Sequence, residues 1–294
     1  MLVLVALGGA GLTTAADRPA TDASRPELSA RTDKLATPWL DALKSQGEAV
    51  EGLVDALSQN GRNVLTLLER LEPAEIDDEL AAGDEASTAL ELAAEALGGE
   101  RVRRPDGIDE TRLSEANRQI LAAVDVTINA GSSMPRTWRG IADDTRQVTA
   151  LLDALIGHDG LVFRATTDGR QGDWSAALGL LRQADESLAG ARVARDRLAE
   201  ANVVETLDDL LDRYAAYDVA LTDLYAALRD GARPDSQHVI DLIGSVDGAQ
   251  AALPADAGAL KVAITEASGS SVAEGVVTLE EARGLVTEAM AALP

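Results

Sequence analysis

The chain has 294 residues, of which 46% are hydrophobic and only 2% aromatic. Apolar residues are mainly Ala, Leu and Val, which suffices for one large core or two ordinary ones and favours helices over aromatic-rich sandwiches and barrels. Fifty acidic residues against 26 basic ones give a net charge of -24. Because such a surface repels phosphate groups, it disfavours binding to nucleic acids and to anionic membranes.

The first twelve residues, MLVLVALGGAGL, form an apolar run. This run is shorter than the roughly 20 residues that cross a bilayer, but it has the length of a signal-peptide core. Small residues follow at Thr14, Ala15 and Ala16, which predicts cleavage before Asp17. We therefore predict a signal peptide over residues 1–16 and an exported protein, with a retained membrane anchor or an ordinary buried helix as the alternatives.

Residues 17–36 are rich in Pro, Ser, Thr, Ala and Asp and are expected to form a flexible spacer. Helical spacing begins at Pro38, which Thr37 is expected to cap. Apolar residues then recur every three or four positions as far as Leu71, which predicts one helix of about 50 Å ending at Pro73.

Three shorter apolar stripes follow, and each ends at glycine. They run from Ile76 to Leu97 before Gly98–Gly99, from Leu113 to Ile128 before Gly131, and from Trp138 to Leu155 before Gly157. Together with the first helix they predict an N-terminal helical bundle over residues 37–157.

The stretch GHDGLVFRATTDGRQGD contains four glycines and the only phenylalanine of the chain. Such a composition is typical of a connection, so residues 158–172 are expected to form a linker or a short hairpin between two helical lobes.

A second bundle is expected over residues 173–294. Its clearest feature is a half-alanine seam from Ala177 to Leu198 followed by a seam of Leu and Tyr from Leu207 to Leu228. Small residues let the larger side chains of a partner helix approach, which predicts an antiparallel hairpin turning at a capping box formed by Asn202 and Glu205. Pro234 begins a further helix.

Pro254 begins a final segment that is expected to break at Gly269–Ser271. The predicted fold class is therefore all-α, with elongated antiparallel bundles of about seven to nine long helices in two lobes.

Residues suited to catalysis or to metal binding are few. The chain has no cysteine, which excludes disulfides, thiolate nucleophiles and cysteine-ligated metals. Its two histidines, His158 and His238, belong to no Glu-x-x-His or His-Glu-x-x-His motif, and no glycine-rich phosphate or dinucleotide motif occurs. We therefore predict no catalytic residue, no cofactor, no metal site and no enzymatic activity.

Four residues are candidates for a ligand site: His158, Asp159, Asp208 and Asp212. The pair His158–Asp159 is either half of a proton relay or the end of a helix, where an imidazolium suits the negative end of the dipole. Asp208 and Asp212 lie one turn apart and either bind calcium or form a solvated face, although they lack the spacing of a calcium loop. Tyr214 and Tyr217 are expected to be core residues.

These observations predict an exported, non-enzymatic helical module that binds a partner or serves a structural role at the cell surface. The expected partner is another protein or a component of the cell envelope. One alternative is an extracytoplasmic receptor for a small ligand or cation, with its site between the lobes near residues 158–173. An enzyme that uses carboxylates is a third possibility, and a carboxylate-lined cavity would favour either alternative over a filled apolar core.

Overall fold

The computed structural model describes residues 25–70, 73–199, 204–254 and 257–293. Over these residues it contains a 3₁₀ turn, Glu110–Arg112, and seven α-helices but no strand, which confirms the predicted all-α bundle. The helices are α1 (Arg25–Arg70), α2 (Pro73–Val102), α3 (Glu115–Gln171), α4 (Trp174–Leu198), α5 (Glu205–Arg229), α6 (Gln237–Ala252) and α7 (Ala257–Ala291). No helix in this set combines the length and the hydropathy that a membrane span requires. The predicted signal peptide, residues 1–16, lies outside the described residues.

The apolar side chains form two cores. The larger core lies among α1, α2, α7 and the part of α3 that ends at Leu155, and it also takes in the end of α4 and the start of α5. The smaller core lies among the remainder of α3, the start of α4, the end of α5 and α6. Helix α3 is 57 residues long, or about 86 Å, and it contributes buried side chains to both cores.

Residues 158–172, predicted to be a linker or hairpin, instead belong to α3 as far as Gln171, and Gly172 ends the helix with a φ of 84°. The glycine count misled the prediction, because an apolar seam continues through this stretch. Leu155, His158, Val162 and Ala165 are buried at helical spacing. Burial of this seam outweighs the modest helical cost of Gly157 and Gly160, each about 1 kcal/mol relative to alanine.

The break predicted at Gly131, between the stripe that ends at Ile128 and the stripe that begins at Trp138, is also absent. Gly131 lies inside α3, where a Cβ on it would come within 2.7 Å of the Cβ of Ala94. Pro135 follows within the same helix, and both Pro135 and Met134 are buried. Gly131 is therefore a point of close contact between α2 and α3 and not a helix end.

The first helix begins earlier than predicted. Residues 25–36, the second part of the predicted spacer, are helical in α1, while residues 17–24 lie outside the described residues. Thr32 and Ala36 are buried in line with Trp39 and extend the apolar seam upstream. Thr37 therefore lies inside the helix, where its hydroxyl donates to the carbonyl of Asp33 instead of capping a helix start.

Two further predicted helix breaks are wrong. Helix α2 continues through Gly98–Gly99 to Val102, and α7 continues through residues 269–271. In α7 the buried side chains of Ile264, Val272 and Val276 lie on both sides of the expected break, so packing against α1 and α3 supports one continuous helix.

The predicted hairpin of α4 and α5 is confirmed. Ala177, Ala184 and Ala191 are fully buried in α4, which lets the larger side chains of α5 approach closely. The predicted capping box is only partly visible, because Asn202 lies outside the described residues. The residue that precedes α5, Val204, makes no side-chain capping bond.

Trp138 forms a close contact between α2 and α3. Its indole is fully buried and lies directly over Gly83 of α2, so a Cβ at position 83 would fall well inside van der Waals distance of the ring. The indole Nε1 donates to Asp84 Oδ1 over 2.8 Å, which fixes the ring orientation. The larger core is thus filled by an aromatic ring at the point where α2 and α3 approach each other.

Candidate functional site

His158 lies in the interior of α3 and is not at a helix end, which corrects the dipole interpretation. Its side chain is only 1% exposed, as is that of Asp218 on α5, and its Nε2 lies 2.8 Å from Asp218 Oδ2. Its Nδ1 lies 3.2 Å from Asp159 Oδ1. The ring of Tyr214 meets the imidazole edge to face, with 5.0 Å between the ring centroids. The imidazole is therefore held between two carboxylates.

The two carboxylates favour the charged imidazolium. Burial lowers the pKa of His158, but the hydrogen bonds with Asp159 and Asp218 outweigh burial and raise the pKa to about 9. Asp218 Oδ1 is buried and accepts no hydrogen bond from any described residue. Asp185 on α4 is exposed; partial burial and the charge of Asp218 raise its pKa, whereas the charge of His158 lowers it.

We call His158, Asp159, Asp185 and Asp218 the polar layer. It lies at the boundary between the two cores. On α3, His158 separates Leu155 of the larger core from Val162 of the smaller core, and on α4, Asp185 follows Ala184 of the smaller core. The two cores thus meet at the buried pair of His158 on α3 and Asp218 on α5, with the exposed Asp159 and Asp185 beside it, and not at a linker.

An open groove of about 310 Å³ adjoins the polar layer between α3, α5 and the end of α6, and we call it the aromatic groove. Helix α3 supplies His158, Asp159, Val162, Phe163, Thr166 and Arg170 to its lining. Tyr214, Tyr217, Gln250 and Leu253 complete the lining. As predicted, Tyr217 is buried and Tyr214 packs partly against the core, but both also face this groove.

Asp208 and Asp212, the other two predicted candidates, are not part of this groove. Asp208 forms an ion pair with Arg195 of α4, and Asp212 Oδ1 lies 3.1 Å from a guanidinium nitrogen of Arg192. Asp208 precedes Asp218 by about 15 Å along α5, at the helical rise of 1.5 Å per residue. These carboxylates therefore join α5 to α4, and no cluster of three metal-ligating side chains is found in the part of the chain that the structure describes.

A second, wider groove of about 880 Å³ lies at the carboxyl end of α2, and we call it the α2 groove. Its lining consists of Gln46, Leu92, Glu95, Ala96, Gly98, Gly99, Glu100, Val102 and Arg103. Leu92 and Val102 are 62% and 83% exposed, although both are large apolar side chains. Gln46 Oε1 is buried and accepts no hydrogen bond from any described residue. The groove thus combines an apolar wall with two acidic side chains and one basic side chain, Arg103.

Sequence reasoning found His158 and Asp159 but missed the residues that complete their surroundings. Asp218 follows Tyr214 by four positions, which places both side chains on one face of α5. Phe163 and Arg170 share a face of α3 with Asp159, at spacings of four and seven residues. This pattern becomes visible only once residues 158–171 are recognised as helical.

Comparisons with models of protein families, with curated proteins and with solved structures each found no match. The two grooves and the polar layer are therefore the features from which a function is inferred.

Proposed function

We propose that this chain is an exported, non-enzymatic α-helical module that binds a partner protein through the α2 groove. The observation that carries this proposal is the exposure of Leu92 and Val102 in the wall of a groove of about 880 Å³. Apolar side chains that cluster on a surface and are rimmed by polar groups are typical of protein interaction sites. The two cores, by contrast, are filled with apolar side chains.

The chemistry of the groove favours a partner segment that is both apolar and basic. Glu95, Glu100 and Arg103 lie at its edge, where Arg103 forms an ion pair with Glu100 and leaves the charge of Glu95 available, and the chain as a whole carries a net charge of -24. That charge opposes the docking of a second copy of this chain and attracts a cationic segment.

Export is proposed from the sequence of residues 1–16. Amino-terminal sequencing of the protein from its native source should find a mature chain that begins at or near Asp17. Recovery of chains that still begin at Met1 or Leu2 would contradict export through a cleaved signal peptide.

Partner binding is tested by cross-linking and capture from native cell envelopes with the tagged mature chain. The double variant Leu92→Glu with Val102→Glu should lose the captured partner, because it places two charges on the apolar wall. The matched control, Val277→Glu with Leu285→Glu, changes a similarly exposed pair on α7 and should retain it. A partner lost from both double variants, or retained by both, would refute the α2 groove as the binding surface.

A second candidate function is a receptor for a small ligand. It is favoured by the aromatic groove, where three aromatic side chains and several polar groups surround a volume of about 310 Å³. That volume is at the lower end of the range of roughly 300 to 1,000 Å³ that small-molecule sites occupy.

A further inference from the structure

The aromatic groove concentrates a residue type that is scarce in this chain. The whole sequence contains seven aromatic residues, one Phe, three Trp and three Tyr, and three of them line this one groove. Phe163 is 73% exposed there, although its neighbours Val162 and Ala165 on the same helix are buried. An exposed aromatic ring beside two tyrosines offers a stacking surface for a flat apolar ligand.

The polar groups of the groove are available to a ligand. The hydroxyl groups of Tyr214 and Tyr217 form no hydrogen bond with any described residue. Arg170 forms no ion pair within the described part of the chain, although acidic residues outnumber basic ones by 50 to 26. Three hydrogen-bonding groups thus line the same groove as Phe163 without a protein partner.

The two charged side chains at the ends of the groove, Asp159 and Arg170, differ in whether they already have an ion-pair partner. Asp159 lies at one end, where its carboxylate is already bonded to His158. Arg170 lies eleven residues further along α3, at a distance of about 16 Å along the helix axis. Burial raises the pKa of Tyr217, and the charge of Arg170 lowers it against the charges of Asp218 and Asp247. Among the charged side chains that line the groove, Arg170 is therefore the one without an ion-pair partner in the described part of the chain.

We propose that the aromatic groove binds a small aromatic organic anion. The carboxylate or sulfonate of this anion is bound by Arg170 and the hydroxyl of Tyr217, and its ring lies against Phe163. A guanidinium binds such groups through charge-assisted hydrogen bonds. The high negative charge of the chain repels anions elsewhere on the surface, so specific binding of an anion distinguishes this site from general adsorption.

This inference rests on the second candidate function, the small-ligand receptor. It is independent of the α2 groove, which lies on other helices. Failure of ligand binding here would therefore leave the proposed binding of a partner protein unaffected.

The test uses two fluorescent probes that differ by one sulfonate group, which only the anion carries. The anion 8-anilinonaphthalene-1-sulfonate and its uncharged analogue N-phenyl-1-naphthylamine are titrated into the mature chain. We expect saturable binding of the sulfonate at one site, with a Kd on the order of 10 µM. Arg170→Gln should weaken binding of the sulfonate by at least about tenfold and leave binding of the uncharged probe unchanged.

Two further variants separate the site from general effects. Phe163→Ala should weaken binding of both probes, because it removes the stacking surface. Arg164→Gln removes a neighbouring exposed charge that does not line the groove, and should change neither affinity. Circular dichroism confirms that each variant keeps its helix content, which is expected because Phe163 and Arg170 are both exposed.

Three outcomes would overturn the proposal. Equal weakening of sulfonate binding by Arg164→Gln and Arg170→Gln would show general electrostatics. Unchanged binding of both probes in Phe163→Ala would place them elsewhere on the protein. Absence of saturable binding of the sulfonate would show that the groove does not hold an aromatic anion.

Discussion

The His158–Asp218 pair makes the stability of the fold depend on pH within a defined window. The ordinary pKa of histidine is 6.5; burial lowers the pKa of His158, and the hydrogen bonds with Asp159 and Asp218 more than reverse this and raise it to about 9. The folded chain therefore holds this proton more tightly than the unfolded chain. Below pH 6.5 both states carry the proton and the stabilisation is fully present, and it is lost as the pH rises through 9.

The size of the effect follows from that interval. From 6.5 to about 9, at roughly 1.4 kcal/mol for each pH unit, the free energy of unfolding should fall by about 3 kcal/mol. Solvent screens the His158–Asp218 pair little, because both side chains are only 1% exposed, but it screens Asp159, which is 61% exposed, so about 3 kcal/mol is the upper value. Since domains are commonly stable by only about 5 to 15 kcal/mol, a loss of this size is readily measured.

Other groups that face the ring interfere little within this window. Asp159 lies on α3, Asp185 on α4, and Asp218 and Tyr214 on α5. Burial raises the pKa of Tyr214 above its ordinary value of 10, so this phenol ionises outside the window. A fall in stability between pH 6.5 and 9 therefore reports mainly on His158.

The assay is urea unfolding followed by circular dichroism at pH 6, 7.5 and 9.5. The unmodified chain should lose about 3 kcal/mol over this range, and His158→Gln should lose much less. The matched control His238→Gln changes the other histidine, which is exposed on α6, and should keep the full loss. If His158→Gln does not fold, Asp218→Asn removes the charge of one partner and should reduce the loss.

Nuclear magnetic resonance measures the same proton directly. With only two histidines in the chain, His238→Gln assigns both imidazole signals. Titration of the His158 signal near pH 6.5, or parallel pH profiles of stability for the unmodified chain and His158→Gln, would refute the reasoning.

Two further predictions concern packing and surface charge. Gly83→Ala should destabilise the fold by about 1 to 3 kcal/mol, because its Cβ meets the indole of Trp138. Gly52→Ala, in open space on α1, should stabilise the fold by up to about 1 kcal/mol. Thermal unfolding measures both variants, and equal effects would contradict the contact between Gly83 and Trp138. Asp208→Asn with Asp212→Asn should cost at most about 1 kcal/mol for each arginine pair lost, with a smaller cost at high salt. In the same unfolding assay calcium should act no more strongly than magnesium at matched ionic strength, and a saturable effect of calcium that these substitutions abolish would reveal a metal site.

The helix class and much of the core could be predicted because they depend on local spacing. The stripe from Trp138 to Leu155 and the alanine seam of α4 are buried as their periodicity predicts. These patterns repeat every three or four residues and do not depend on knowledge of the neighbouring helices.

The helix ends could not be predicted, because they depend on contacts between distant segments. Gly131 was expected to end a helix, yet it lies inside α3, where a Cβ on it would come within 2.7 Å of the Cβ of Ala94. A single sequence shows that a glycine is present but not which residue lies against it. The same reasoning explains why residues 158–171, with their glycines, were expected to leave the helix.

Only part of the candidate site could be predicted from the sequence, because its residues come from different helices. His158 and Asp159 attract notice as a titratable pair, but Asp218 lies sixty residues away on another helix. Its place in the seam of α5 identifies it as a buried carboxylate, and only the packing of α5 on α3 identifies its partner. Phe163 and Arg170 are likewise recognised as site residues only because α5 contributes Tyr214 and Tyr217 to the same groove.

The polar layer and the aromatic groove are physically connected through Tyr214. Its ring meets the edge of His158, and it also lines the groove. A buried ion pair often contributes no more to stability than apolar side chains of the same volume would, because desolvation offsets the attraction of the charges. What the pair does supply is orientation, since hydrogen bonds from both ring nitrogens fix the plane of the imidazole. A fixed imidazole in turn limits the positions open to the Tyr214 ring, so the charged layer between the cores also shapes one wall of the groove.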